Sequence, residues 1–399
     1  MIKVGVIFGG ESVEHEVSII TAVQAMSYLD KDKYEAVPIY ISKERNWYTG
    51  ECLKDMATYK KLDNVKELAT EITLTRDGNE FILQRKKGLF NKTVNTIDVG
   101  FPIVHGKGVE DGSLAGYIET LGLPLIGPSM LGASVGQDKV VQKQIMAAEG
   151  IPIVDYTWFY DTEYLADEEK YLANIKKLGY PVIVKPARLG SSVGIEVAHN
   201  EDEVREAITE AIKYDQKIVI EKLVENLKEV DCAVLGNYTT METSLIGEMF
   251  TDNELLTFED KYLGSGGKGG KKGPAKGRGG AITTGGFKIP ADLDKKVEDQ
   301  VYKYAKEAYR ALNLSGVTRF DFLIDTKKKQ AYVNEPNTIP GCLAFFFYTP
   351  KGKNYTKLLD DMITNGIKEY KDAKKKVTSF ESNVLSTYDG KSGAKNKIQ

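Results

Sequence analysis

Hydrophobic and polar positions along this chain first fall into register at its start. Residues 2–8, IKVGVIF, are an unbroken apolar run of strand length, the kind buried on both faces of a parallel sheet. After GGES, the apolar positions of VEHEVSIITAVQAMSYL recur at helical spacing. The strand AVPIYIS follows, then a less regular region to residue 97 in which a hairpin is expected around 72–83. A second apolar strand ends at His105, the loop HGKGVEDG follows it, and a helix opens that Asp111 or Ser113 can cap. Gly127-Pro128 marks a boundary by its turn chemistry. One helix is expected over 129–150 and another over EEKYLANIKKLG. Next comes PVIVK, an apolar strand ending in Lys185, then a glycine-serine loop and the short strand IEVAH. A helix at 201–213 and the strand KIVIEKL close this αβ unit, and EVDCAVLG begins another strand at Glu229. A helix over 292–313 leads to TRFDFLID and QAYVNEPN, two strands joined by a lysine-rich turn at 326–329. A helix at 355–369 precedes a polar tail expected to be disordered from 372.

The alternation of strands and helices makes this an α/β chain, with a Rossmann-like opening of strand, glycine turn and helix. No G-x-G-x-x-G follows that first strand, which argues against a dinucleotide. At 399 residues there is room for two or three domains. A hydrophobic content of 42% and a net charge of -3 (pI about 5.9) suit a globular protein and argue against a general nucleic-acid binder. Cys52, Cys232 and Cys342 are few and widely spaced, as are His15, His105 and His199, so neither a disulfide framework nor a zinc site is expected. No apolar run approaches the roughly 20 residues of a spanning helix. The N-terminus enters a strand at once, leaving no room for a signal peptide. A cytoplasmic protein without a membrane partner is the expectation.

The chemistry concentrates in 317–341. Side chains alternate along a strand, so Arg319, Asp321 and Leu323 share one face, and Val333, Glu335 and Asn337 share another. Folded about its turn, the hairpin brings Asp321 near Glu335, with Asn337 and Arg319 at the same end. Two carboxylates and an amide on one face repel unless a cation lies between them, and an all-oxygen set suits magnesium with substrate phosphates completing the shell. The alternative is the solvent face of an amphipathic hairpin. Lys185 closes an apolar strand, where its charge needs an anionic partner. The loop that follows, from Gly190 through Ser191 and Ser192 to Gly194, offers successive backbone N–H groups to phosphate, or else is a plain hairpin turn. Glu221, Lys222 and Glu229 suit a purine amine or ribose hydroxyls, or are ordinary strand-end charges. The segment 261–289 is dense in glycine and lysine and is no Walker loop. It reads either as a lid over anionic groups or as an inert disordered insertion.

Taken together, GGESVEHEVS, HGKGVEDG, IGPS…GQDK, VKPARLGSSVG, EKL…E, KY, RFDF and NEPNTIPG make the chain resemble the D-alanine–D-alanine ligases of the ATP-grasp superfamily from Ile2 to about residue 365. The resemblance implies a three-domain ATP-grasp ligase: a Rossmann-like N-terminal domain (1–127), a central subdomain (128–220), and a C-terminal subdomain (221–371) carrying the lid, with the tail at 372–399. ATP is implied between the last two. Lys139, Lys185, Ser191, Ser192 and Lys261 are implied to serve its phosphates, and Glu221, Lys222 and Glu229 its adenosine. Asp321, Glu335 and Asn337 resemble the ligands of two magnesium ions, with manganese as the alternative. Glu14 corresponds to the carboxylate for the first substrate's ammonium, and His105 sits at the same pocket. Ser191 and Tyr262 are implied to join Glu14 in a hydrogen-bonded set. Arg319 and the backbone of Gly341 are implied to stabilise the tetrahedral intermediate. The substrates implied are D-amino acids and ATP, in a family that is commonly dimeric.

Three departures stand out. Pro336 replaces a non-proline residue and removes a ladder N–H beside the metal ligands. Phe346 falls about where the family has a serine for the second substrate's carboxylate. The lid is longer and more basic than usual. Ligation of two D-alanines for peptidoglycan is therefore the first expectation. A paralogue taking a bulkier or more apolar amine is the second, and a non-catalytic nucleotide-binding protein the third. Tyr262 matches the dipeptide-forming pattern, which argues against a D-lactate acceptor.

Overall fold

Three β-sheets, one after another along the chain, carry the architecture of this computed structural model, which describes residues 1–86, 92–190, 193–249, 282–284, 287–380 and 386. Ser191, Ser192, Lys261, Tyr262, most of 261–289 and, Ser386 apart, the tail from 381 lie outside the described residues.

The first sheet comprises β1 (Ile2–Gly9), β2 (Tyr34–Ile41), β3 (Trp47–Thr49), β4 (Thr70–Asp77), β5 (Glu80–Arg85), β6 (Thr93–Ile97) and β7 (Val99–Ile103), in the order β6-β5-β4-β3-β2-β1-β7. β1 lies parallel between β2 and β7, which explains its unbroken apolar run. The expected hairpin is β4–β5. Its strands are only half-buried, so the pattern before residue 97 is weak.

The second sheet is antiparallel, β10-β9-β11-β8, from β8 (Tyr156–Tyr160), β9 (Val182–Pro186), β10 (Glu196–Ala198) and β11 (Lys217–Lys222). Helices Glu168–Leu178 and Glu201–Ala211 cover one face through Leu172, Ile175, Val204 and Ile208. The other face is left for the site.

The third sheet has the order β14-β15-β13-β12-β16-β17, from β12 (Leu227–Gly236), β13 (Met241–Met249), β14 (Ile282–Thr284), β15 (Phe287–Ile289), β16 (Gly316–Asp325) and β17 (Gln330–Asn337). Helix Lys295–Ala311 packs beneath it on Phe320, Phe322, Ile324 and Val333. Ala233, Leu235 and Val317 face the other way and join the core of the first sheet, where helix Tyr355–Lys374 also packs.

Three expectations change. The helix expected over 129–150 is two, Met130–Gln137 and Lys139–Ala148. Asp138 breaks it by taking an extended conformation and accepting from the N–H groups of Val140 and Val141, as an N-cap does. The cap position before Ser113–Leu121 is Gly112, and Asp111 accepts the Gly108 N–H at 2.8 Å and the Ser113 N–H at 3.2 Å. Finally, Val333 does not share a face with Glu335. Arg319 pairs with Asn337 and Asp321 with Glu335, whereas the register counted from the turn, through Asp325 with Gln330 and Phe322 with Val333, would have set Asp321 opposite Asn334. Asn334 is the extra residue of a bulge, so Val333 turns into the core while Glu335 stays on the polar face. Pro336 sits on this edge strand, where a missing ladder N–H is tolerated. Among the described residues no helix is long and apolar enough to cross a membrane, and all three cysteines are unpaired.

Candidate active site

The polar faces of the second and third sheets meet at a cluster of lysines and carboxylates. Lys185 and Glu221 lie on one face of the second sheet, because Lys185 is opposite Val219 and parity carries Glu221 to the same side. Lys185 Nζ is 2.8 Å from Glu221 Oε2 and 3.5 Å from Asn334 Oδ1. Helix Lys139–Ala148 adds two more lysines one turn apart. Lys143 Nζ is 3.1 Å from Glu221 Oε1 and donates to the Asn334 carbonyl at 3.4 Å. Lys139 Nζ is 3.0 Å from Glu335 Oε2 and donates to the Leu189 carbonyl at 2.8 Å. The Lys143 side chain has no exposed surface, whereas those of Lys139 and Lys185 keep 9% and 7%.

Burial pushes the Glu221 carboxyl up, but the charges of Lys143 and Lys185 overcome it and hold it at about 2. At Lys143 burial wins and lowers the ammonium's pKa against the pull of Glu221. At Lys185 burial also lowers it, but Glu221 and Glu335 together bring it out raised. Buried ion pairs lose on desolvation about what they gain in attraction, so such a cluster is poor evidence of a stabilising role. With Arg319, Asp231 and Asp321 beside them, four cations and four carboxylates meet here, so the lysines have carboxylate partners that phosphate oxygens could replace.

On the third sheet, Asp231, Asp321 and Glu335 stand in one row across β12, β16 and β17. Arg319 pairs with two of them: Nε and Nη2 donate to Asp321 at 2.8 and 2.9 Å, and Nε is 3.1 Å from Asp231 Oδ2. Asn337 Nδ2 donates to Asp321 Oδ1 at 3.0 Å, and half a turn of that amide presents an oxygen instead. Asp321, Glu335 and Asn337 therefore offer hard oxygen donors in a place already holding cationic side chains, which fits a divalent metal. With only two carboxylates in the set, substrate oxygens have to complete the shell. Among the described residues no group of three His, Cys, Asp or Glu could hold a metal unaided.

Glu14 opens helix His15–Tyr28 and is 7% exposed. Two glycine loops close on it. A Cβ built at Gly190 or at Gly106 would lie 3.0 Å from Glu14 Oε2, and at Gly106, where φ is 84°, also 2.3 Å from Ser12 Oγ, so the loop after β7 needs glycine there. His105 is buried, its pKa lowered by that burial, with Nε2 3.4 Å from Thr21 Oγ1. The same Thr21 oxygen accepts the Cys342 N–H at 3.3 Å, which ties the first sheet to the segment after Gly341. Glu110 makes a second tie: Oε2 accepts the Gly106 N–H at 2.8 Å, and Oε1 accepts the Thr338 hydroxyl at 3.0 Å and the Ile339 N–H at 3.1 Å. Burial, with help from the Glu14 charge, raises Glu110 to about 7.

Beyond Pro340, the segment Gly341–Phe347 departs from every local preference. Cys342, Leu343 and Ala344 are consecutive non-glycine residues at φ of 50°, 49° and 52°. Phe346 is half-buried, 4.5 Å from the Phe347 ring and 5.6 Å from Phe287, and Phe345 stacks on Tyr355 at 4.4 Å. No polar side chain stands at 342–348 except the Cys342 thiol, the Tyr348 hydroxyl being buried and donating to the Glu242 carbonyl at 3.2 Å.

The structure thus brings Lys139, Lys185, Glu221 and Glu335 together, and Arg319, Asp321 and Asn337 beside them. Glu14 and His105 lie on the first sheet's side. Lys222 is exposed at the end of β11, and Glu229 lies on the polar face two residues before Asp231. Lys143, Asp231 and Glu110 escaped the sequence reading. A lysine one turn after Lys139, an E-x-D alternation at Glu229 and an acid inside HGKGVEDG were the available signals, and none distinguishes a site residue from a surface charge.

Residues 3–128 match the family described as D-ala D-ala ligase N-terminus, and residues 145–364 that described as D-ala D-ala ligase C-terminus. A Thermosipho melanesiensis protein named D-alanine–D-alanine ligase is 38% identical over 98% of this chain and all of its own length. The solved structure of the D-alanine-D-alanine ligase from Coxiella burnetii superposes with a TM-score of 0.76 at 27% identity, over 94% of this chain and 98% of its own. The VanG D-Ala:D-Ser ligase of Enterococcus faecalis does so with a TM-score of 0.73 at 25% identity, over 92% and 99%.

Proposed function

The chain belongs to the D-alanine–D-alanine ligase family and is an ATP-dependent, ADP-forming ligase, and we propose that it joins D-alanine to a second D-alanine for peptidoglycan synthesis with its residues in the following roles. The observation that supports the reading is the placement of Lys139 and Lys185 directly beside the Asp321–Glu335 pair, cations for a triphosphate next to oxygen donors for its metal.

A carboxylate does not react with an amine at neutral pH, so the first D-alanine is activated by transfer of the γ-phosphoryl group to its carboxylate oxygen, releasing ADP. Lys139 and Lys185 leave their carboxylate partners for the phosphate oxygens, where their charge stabilises the transferring group. Asp321, Glu335 and Asn337 would hold the divalent metal, two magnesium ions with manganese as the alternative, which would supply positive charge against the phosphates. Glu14 holds the first substrate's ammonium, and His105 walls the same pocket. Arg319 and the Gly341 N–H face the oxyanion when the second amine attacks and phosphate departs. Glu221, Lys222 and Glu229 serve the adenosine; Ser191, Ser192 and Lys261, outside the described residues, are assigned to ATP, and Ser191 and Tyr262 to a set with Glu14. Phe346 walls the acceptor side. Domains at 1–127, 128–220 and 221–371 form the corresponding units, in a cytoplasmic enzyme that works as a homodimer. Since the chain is a ligase, the non-catalytic alternative is set aside.

Phosphate release from ATP and magnesium with D-alanine alone, then with D-alanine and a panel of amines, tests the substrate assignment. Turnover with D-alanine alone is expected. Activity only with an added bulky amine would move the acceptor from D-alanine to the apolar alternative that Phe346 and its neighbouring rings favour.

A further inference from the structure

Lys143 is the one ammonium of the cluster that no ligand can reach. It lies one helical turn beyond Lys139, its side chain has no exposed surface, and its neighbours are Glu221 Oε1 and the Asn334 carbonyl. A lysine is seldom buried so completely, because desolvating an ammonium is expensive unless it is paired. Its pairing is also redundant for neutralising Glu221, whose other oxygen already faces Lys185 at 2.8 Å. Two cations on one carboxylate make sense if one of them has to leave.

We propose that Lys143 is a positioning residue that holds Glu221 as its permanent counter-charge, so that Lys185 is free to leave Glu221 for the phosphates of ATP. This rests on the reading of Lys185 as a phosphate ligand. If Lys185 were the sole partner of Glu221, moving it to a phosphate would strand a buried carboxylate, which is costly whatever the phosphate returns. With Lys143 behind it, Glu221 keeps a full charge partner 3.1 Å away throughout. The same ammonium donates to the carbonyl of Asn334, the bulge residue next to Glu335.

A double-mutant cycle in the full-length enzyme tests this, reading KM for ATP, KM for D-alanine, kcat and the thermal midpoint. Lys143→Met, close in shape and uncharged, is expected to raise KM for ATP tenfold or more with KM for D-alanine changed less than twofold, because Glu221 then retains Lys185. Removing the carboxylate's charge should release Lys185 again, so Lys143→Met/Glu221→Gln is expected to match Glu221→Gln alone within twofold in KM for ATP. That second comparison contains no stranded carboxylate and stands even where Lys143→Met does not fold. The proposal is overturned by an unchanged KM for ATP in Lys143→Met. It is overturned equally by a tenfold gap between Glu221→Gln and the double variant, or by both KM values rising together with a fallen thermal midpoint. Lys185→Met is measured alongside. Should it leave KM for ATP unchanged, the phosphate role of Lys185 fails rather than the pairing of Lys143 with Glu221.

Discussion

Around Glu335 the side chains that approach carry a charge or an amide, whereas a few residues on, over Gly341–Phe347, the neighbours are aromatic rings. The first region is held by long side chains of three separate elements, each in reach of a carboxylate. The second is held by shape. Its three left-handed residues cost roughly 1–2 kcal/mol each by local sterics, and Leu343 and Ala344 are nonetheless fully packed. Packing and a few backbone hydrogen bonds, such as Leu343 N–H to the Pro340 carbonyl at 2.8 Å, offset that cost. The difference teaches where the two halves of the reaction should be vulnerable. Charge loss should strike the nucleotide side, and volume changes the acceptor side.

The largest effect is expected for Glu335→Gln, which keeps the shape and removes the charge. Turnover should fall roughly a thousandfold or more, with the thermal midpoint nearly unchanged, and retained activity would refute the metal assignment. Next, Phe346→Ala should raise KM for the second D-alanine about tenfold, the effect of a lost apolar pocket wall, and leave KM for ATP alone. An equal rise in both constants would dissolve the distinction between the two regions. A stability test comes third. A Cβ at Gly247 would lie 2.3 Å from Phe347 Cε1 and 3.2 Å from Phe287 Cδ1. Gly247→Ala should thus cost about 1–3 kcal/mol of overpacking in denaturant unfolding while sparing ATP binding.

The smallest effect is a pH dependence. Burial and Glu14 raise Glu110 to about 7, and burial raises Glu369 to about 7. Between the ordinary value of 4.5 and 7, the folded protein keeps protons that the unfolded chain releases. That contribution to stability is complete below the ordinary value and is lost as pH rises through the folded one. The melting midpoint should fall by a few degrees between about pH 5 and 8. The slope should flatten in Glu110→Gln/Glu369→Gln, and a slope that survives both substitutions assigns it to other groups.

Much of this was legible in the residues. Unbroken apolar runs marked β1, buried between two parallel neighbours, and β9 as far as Lys185, while the hairpin turn put Asp321 near Glu335 and left their pairing to the bulge. The motif loops HGKGVEDG and LGSSVG stood out through their glycines, of which Gly106 and Gly190 lie against Glu14. Asp138 was read into a helix that it instead divides, since its capping bonds outweigh a continuous apolar spacing.

What the sequence determined by itself was therefore local: which runs become strands or helices, and which residues share a face as long as no bulge intervenes. Only the tertiary structure decided that Asn334 bulges and sends Val333 into the core, that Lys143 and Asp231 are buried against Glu221 and Arg319, and that Glu110 reaches across to Thr338. The reason is physical. Periodicity encodes one element's own faces, while the partner of a buried charge belongs to another element, and the distance between them exists only once the sheets have packed.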